Sequence, residues 1–167
     1  MIRKLIISIL TVFALLLNSL ATLLPLNNLT TAQISDSYSV YFVPAGYVFS
    51  IWGIIYIGLI VIALYYWFGA RKSTVRSEAL RKIFPWHALG LFANGVWIIF
   101  WHYEQVALSV LVMLLLLFCL LKSYSIARSL KIHPDGANRP FQLAIQSPLS
   151  IYLGWISVAT IANITVF

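Results

Sequence analysis

The sequence predicts an all-α membrane protein, a single domain built as a five-transmembrane-helix bundle with its N-terminus in the cytoplasm. Apolar residues make up 62% of its 167 residues and charged residues only 9%. Soluble globular chains average about 45–50% apolar and about 25% charged residues. Five apolar runs approach the roughly 20 residues that a helix needs to cross a bilayer. All eleven Lys and Arg residues lie in alternate segments flanking these runs.

The predicted spans are separated by connections of different length and lie at 5–24, 45–68, 85–102, 106–121 and 142–166. The first follows Arg3 and Lys4, a layout that also fits a cleavable signal peptide. Its length and the lack of a small-x-small cleavage motif favour a retained helix over cleavage. The second begins just after Pro44 and the third at Pro85, because the amide that proline lacks is unpaired in a first helical turn anyway.

The charged residues test this arrangement. Cytoplasmic loops are enriched in Lys and Arg, and with the N-terminus inside every Lys and Arg falls on the cytoplasmic side. The opposite side carries Asp36, Glu104 and the polar segment 25–43, which is a candidate lid. The net charge of +7 does not indicate nucleic-acid binding, because the basic residues lie in short loops and not on a soluble face.

Residue patterns that carry catalysis or metal binding in other proteins are missing. No carboxylate lies in a predicted span, and there is neither a glycine-rich phosphate loop nor a Cys/His metal spacing, so we predict no metal site and no obligatory cofactor. Cys119 stands alone in an apolar run and is expected to be a small packing residue. His87, His102 and His133 are dispersed, and we expect them at the membrane interface, with haem ligation by one of them as the alternative.

Three of the predicted spans carry aromatic and amide side chains at helical spacing, each set on one face. The candidate ligand-binding residues are Trp52 and Tyr56 in the second span, Asn94, Trp97 and Trp101 in the third, and Tyr152, Trp155, Ala159 and Asn163 in the fifth. In the predicted topology the three faces lie at similar depth on the outer side. An aromatic cavity with a few amides suits a flat, largely hydrophobic ligand. The alternative is that the rings only pack the bundle and the amides only tie helices together.

Three motifs resemble the TspO/MBR family, the tryptophan-rich sensory proteins that include the mitochondrial translocator protein, also called the peripheral-type benzodiazepine receptor. Residues 44–56, PAGYVFSIWGIIY, resemble its second-helix signature, and residues 93–97, ANGVW, resemble its third-helix Asn-x-x-Trp motif. Residues 148–163 resemble its fifth-helix pattern. The span count, the long first loop and the tight turn after the third span agree with this family.

The resemblance implies a five-helix bundle, often a homodimer, that binds tetrapyrroles such as protoporphyrin IX and haem, and in some members sterols. Trp52 and Trp155 match the two tryptophans tied to porphyrin binding or light-dependent breakdown in the family. Asn94 and Trp97 match pocket positions, and Ala159 matches a small residue on the ligand face. The chain departs from the family in lacking the Lys-Pro-x-Trp element of the first loop and the sterol-associated segment after the fifth helix.

We therefore expect a membrane receptor, sensor or carrier-like protein that binds a tetrapyrrole or another flat hydrophobic ligand. Two alternatives remain open: a light-dependent porphyrin-degrading enzyme that uses Trp52 and Trp155, and a non-catalytic assembly or regulatory partner whose aromatic faces bind another helix. The absence of a transit-like amphipathic N-terminus favours a bacterial inner membrane.

Overall fold

The chain forms helices and no strand in the part that the computed structural model describes, which comprises residues 1–23, 26–38, 40, 42, 44–69, 74–129 and 139–167. Within these residues, five helical segments are long and apolar enough to cross a membrane: Ile2–Ala21, Gly46–Phe68, Val75–His102, Val106–Arg128 and Arg139–Val166. The predicted fold class, an all-α membrane protein with five spans, is confirmed.

The α-helices are α1 (Ile2–Leu23), α2 (Thr31–Ser37), α3 (Ile51–Phe68), α4 (Thr74–His102), α5 (Val106–Arg128), α6 (Arg139–Phe141) and α7 (Ser147–Val166). Short 3₁₀ segments at Leu26–Asn28 and Gly46–Ser50 precede α2 and α3. A π turn at Gln142–Gln146 joins α6 to α7, so that the fifth span is continuous.

Two helices extend beyond the predicted spans. The helix that contains the third predicted span begins before Pro85, because α4 begins at Thr74 and Pro85 lies inside it. The missing proline amide removes one helical hydrogen bond, a loss that membrane helices tolerate when neighbouring groups compensate. Residues 79, 80 and 83 are buried at helical spacing, so packing supports the additional turns. The fourth span likewise continues past 121 to Arg128.

The five spans form a closed ring in the order α1, α4, α5, α7, α3, with each helix packed against its two neighbours. Small residues allow close approaches within this ring. A Cβ atom added at Gly58 of α3 would lie 2.9 Å from the Pro148 Cβ of α7, and one added at Gly95 of α4 would overlap the Phe13 ring of α1. Outward-facing apolar side chains such as Ile9, which is 65% exposed, form the lipid-facing surface.

Charge separates the two ends of the bundle. The described Lys and Arg residues lie near the start of α1, the starts of α4 and α6, and the last two turns of α5. Contacts join these segments into one end: Lys4 Nζ donates to the Trp67 carbonyl at 3.2 Å, and Gln146 Nε2 donates to the Ala127 carbonyl at 2.7 Å. We call it the basic end, and the opposite one the α2 end.

The segment predicted as a lid contains α2, whose N-terminus is closed by a capping box. The Thr30 hydroxyl accepts from the Gln33 amide at 3.3 Å, and the Gln33 side chain accepts from the Thr30 amide at 2.8 Å, which satisfies two amides that the helix leaves free. Ile34 is buried against the bundle, and Asn27 Nδ2 donates to the His102 carbonyl at 3.2 Å. Residues 24, 25, 39, 41 and 43 of this segment lie outside the described residues.

Two of the histidines, His87 and His102, are buried inside the bundle, and their placement at the membrane interface stays a prediction. His87 is 2% exposed and stacks on Tyr66 with 6.5 Å between ring centroids. His102 is fully buried, and its Nδ1 lies 2.9 Å from the Ile98 carbonyl. His133 lies outside the described residues. Cys119 is a buried packing residue, as predicted.

Candidate functional site

Trp52 of α3 is the centre of a cluster of aromatic rings contributed by three helices. Its ring stacks on Tyr56 and Trp97, with centroid distances of 5.6 and 5.9 Å. It meets Tyr152 and Trp155 edge to face at 6.1 and 6.3 Å. Both arrangements are favourable for aromatic quadrupoles. We call these five residues the Trp52 cluster; the structure brings together one or more aromatic residues from each predicted face.

The stacking continues from the Trp52 cluster towards α2. Trp97 stacks on Trp101 at 5.9 Å with an angle of 19° between the ring planes. Trp101 in turn lies 6.3 Å from the Tyr38 ring, just beyond the end of α2. The Trp101 indole nitrogen donates to the Thr31 carbonyl at 3.3 Å. A column of three tryptophans therefore runs from the middle of the bundle to the helix that covers its α2 end.

Asn94 is tied into the bundle by hydrogen bonds on two sides. Its Nδ2 donates to the Tyr152 hydroxyl at 2.7 Å, and its Oδ1 accepts from Asn18 Nδ2 at 2.9 Å. It is 0% exposed and lines neither of the cavities described below. These contacts join α1, α4 and α7, so Asn94 serves the packing role that membrane amides commonly have. The polar residue Asn18 in the first apolar run was the sequence signal for this partner.

Asn163 is the amide that reaches the site itself. Its Oδ1 accepts from the Trp97 indole nitrogen at 3.2 Å, and its Nδ2 donates to the Ser109 hydroxyl at 2.9 Å. The sequence provided no reason to select Ser109, because the fourth run has no aromatic or amide face. The signal was a single hydroxyl residue among Leu and Val near the α2 end. Through Ser109, α5 helps to orient Trp97.

A cavity lies between the tryptophan column and α2, with a volume of about 30 Å³. One molecule occupies a similar volume, about 30 Å³, in liquid water. Six of the nine predicted residues line it, namely Trp52, Trp97, Trp101, Trp155, Ala159 and Asn163. The other three predicted residues, Tyr56, Asn94 and Tyr152, do not. Thr31 and Ser35 of α2 form part of its wall.

A larger open groove adjoins this cavity on the other side of Trp52. It has a volume of about 570 Å³, and α1, α2 and α3 contribute to its walls. Small-molecule sites commonly measure about 300–1,000 Å³. Trp52, Phe49 and Thr31 line both spaces, so Trp52 stands at their boundary. Gly53 also lines the groove, and a Cβ atom added there would meet nothing within 4 Å.

One polar atom of the site has no partner in the described part of the chain. The Trp155 indole nitrogen is buried and forms no hydrogen bond there. Buried indole N–H groups normally find an acceptor, and an unpaired one costs about 1–3 kcal/mol. Since Trp155 lines the cavity, an acceptor atom on a bound molecule would remove this cost.

The electrostatic character of both spaces is neutral. Neither is lined by Lys, Arg, Asp or Glu among the described residues. The closest charged contact of this region is at the rim, where the Tyr38 hydroxyl donates to Glu104 at 3.4 Å. Burial, and then the negative charge of Glu104, raise the pKa of Tyr38. The described residues contain no group of three His, Cys, Asp or Glu side chains that could hold a metal ion.

Comparison with known proteins identifies one family. Residues 4–167 match the sequence profile of the family described as TSPO-like protein. No curated protein and no solved structure matches the chain. The matched range includes every residue of the Trp52 cluster and every residue that lines the cavity and the groove.

Proposed function

Because this chain belongs to the TSPO-like protein family, we propose that it is a membrane receptor, sensor or carrier-like protein that binds a tetrapyrrole, such as protoporphyrin IX or haem, or another flat hydrophobic ligand. One observation carries the proposal. Trp52 is the centre of a five-ring aromatic cluster and stands between a small cavity and a larger groove.

The groove is the part of the site that has room for such a ligand. Its volume of about 570 Å³ is compatible with a flat macrocycle that stacks on the face formed by Trp52 and the half-buried Tyr56. The small cavity, at about 30 Å³, cannot hold such a ligand. Deeper binding therefore requires α2 to move away, and the Trp155 indole nitrogen then donates a hydrogen bond to an acceptor on the ligand.

We extend the proposal to orientation and assembly. Since the described Lys and Arg residues lie at the basic end and cytoplasmic loops are enriched in these residues, the N-terminus is cytoplasmic and α2 faces outward. The proposal also places the protein in a bacterial inner membrane, as a homodimer. Light scattering of the detergent-solubilised protein measures the dimer, and accessibility of a cysteine introduced at Ser37 measures the side on which α2 lies.

The test is a titration of the purified protein with protoporphyrin IX, in which tryptophan fluorescence and porphyrin absorbance are both recorded. The wild type should show saturable quenching, and Trp52→Phe and Trp155→Phe should each raise the dissociation constant about tenfold, since a lost ring contact or indole hydrogen bond costs about 1–1.5 kcal/mol. Trp86→Phe is the matched control, because Trp86 packs on Phe118 at 5.6 Å and lines neither space. Absence of saturable quenching in the wild type would refute porphyrin binding.

The contact between Trp52 and Trp155 favours a second candidate function, light-dependent porphyrin breakdown. Their ring centroids lie 6.3 Å apart and both line the cavity, so either can donate an electron to a photoexcited porphyrin that enters the cavity once α2 has moved away. Illumination of the complex should then consume porphyrin and yield a new absorbing product. Porphyrin loss equal to that in a protein-free control would exclude the enzyme.

A further inference from the structure

A second groove lies at the basic end and shares no lining residue with the cavity or the groove beside Trp52. It has a volume of about 820 Å³ and runs between α1 and α4. Three cations and several apolar side chains line it, among them Arg3, Lys4, Arg81, Ile6, Leu80 and Phe84. We call it the basic groove. None of its residues belongs to the ligand site proposed above.

The cations of the basic groove differ in how strongly they are engaged. Arg3 is exposed, and its positive charge interacts with the Glu78 carboxylate. Lys4 is held in position, since its Nζ donates to the Trp67 carbonyl at 3.2 Å and lies 5.5 Å from the centre of that ring. Arg81 pairs with Glu78 at 2.5 Å, and its side chain remains 54% exposed. Positive charge thus exceeds negative charge around the groove.

The groove is amphiphilic along the helix axes. Ile6 follows Arg3 by three residues on α1, and Phe84 follows Arg81 by three residues on α4. At about 1.5 Å per residue the apolar side chains lie about 4–5 Å deeper in the membrane-spanning part than the cations. Leu80 and Tyr66 complete the apolar wall. A molecule that fits must therefore carry a negative charge at one end and an apolar body at the other.

We propose that the basic groove binds an anionic phospholipid from the leaflet in which the basic end lies. The lipid phosphate contacts Arg3 and Arg81, and an acyl chain lies against Ile6 and Phe84. The groove is much larger than a phosphate ion requires, and it opens beside Ile2, which is 71% exposed to the bilayer. Basic pockets between membrane helices bind lipid headgroups in this way, and arginine matches the geometry of phosphate oxygens.

The test is a binding titration of the detergent-purified protein with phosphatidylglycerol or with phosphatidylcholine. Native mass spectrometry measures the amount of lipid bound. The wild type should prefer phosphatidylglycerol. The double variant R3Q/R81Q should bind it about thirtyfold more weakly, roughly fivefold for each cation. The charge-matched control K122Q/R128Q removes two cations from α5 at the same end and should change affinity less than threefold. Equal weakening by both double variants would overturn the proposal in favour of a diffuse charge effect.

Two further measurements keep the proposal testable. Glu78→Gln leaves every cation in place and removes the carboxylate that competes for Arg81, so it should strengthen phosphatidylglycerol binding up to fivefold; an unchanged affinity would count against the groove. Millimolar glycerol 3-phosphate should not displace the lipid, and displacement would mean a soluble-phosphate site. Because porphyrin quenching should be identical in all these variants, failure of the lipid site is distinguishable from failure of the porphyrin site.

Discussion

Replacing Tyr152 with phenylalanine separates the structural role of the buried polar layer from ligand binding. The change removes only the hydroxyl that accepts from Asn94 Nδ2 at 2.7 Å and keeps the ring that contacts Trp52 at 6.1 Å. Hydrogen bonds between membrane helices average about 0.6 kcal/mol, and a buried donor left unpaired costs about 1–3 kcal/mol. Since Asn94 is 0% exposed, we expect a loss of about 1–2 kcal/mol in the free energy of unfolding.

The assay is thermal unfolding of the detergent-solubilised protein followed by circular dichroism. A loss of this size should lower the midpoint by roughly 2–8 °C, whereas the porphyrin dissociation constant should change less than threefold. Tyr47→Phe is the matched control, because Tyr47 is 82% exposed, and it should leave the midpoint unchanged. In an Asn94→Leu background the same substitution should cost less. A normal midpoint together with tenfold weaker porphyrin binding would show that the hydroxyl contacts ligand, and would refute this reasoning.

Two other predictions concern helix packing. Gly58→Ala should destabilise the protein by about 1–3 kcal/mol, because the added Cβ would lie 2.9 Å from that of Pro148. The control Gly154→Ala, whose added Cβ would meet nothing within 4 Å, should be neutral or stabilising. Equal thermal midpoints for the two variants would contradict this prediction. Ser109→Ala should lower the free energy of unfolding by about 1 kcal/mol, because it removes the acceptor of Asn163 Nδ2. It should also shift Trp97 fluorescence. An unchanged spectrum and an unchanged thermal midpoint would argue that Ser109 does not orient Trp97 through Asn163.

The number of membrane-spanning helices could be predicted from composition, because a bilayer imposes a minimum length on every apolar helix. The helix ends could not. Residues 74–84 contain four charged side chains, Arg76, Glu78, Arg81 and Lys82, in a pattern that hydropathy assigns to a loop. Only packing of Ala79, Leu80 and Ile83 against other helices shows that α4 starts at Thr74. Similarly, polarity alone identified the segment before the second span as a loop, whereas its capping box makes part of it helical.

Helical spacing grouped the candidate site residues into three faces, but it could not assign a partner to each side chain. Asn94 lies in the third span and Asn163 in the fifth, and both carry a side-chain amide. The Asn94 amide, however, is hydrogen-bonded to Asn18 and Tyr152. Asn163 reaches the cavity. The difference depends on which helices are neighbours in the ring, and spacing within one helix contains no information about neighbours. Ser109 was missed for the same reason.

The sequence by itself determined that this protein is a five-span membrane bundle with a one-sided charge distribution and a tryptophan-rich interior. These properties follow from the composition and periodicity of single segments, which the bilayer selects one helix at a time. Only the tertiary structure decided that Trp52 joins the three aromatic faces and that a small cavity and a larger groove lie on its two sides. It also decided that Arg3 and Arg81, from distant parts of the chain, line the same basic groove. Each of these depends on the order of helices around the ring, which arises from close contacts such as that of Gly58 with Pro148.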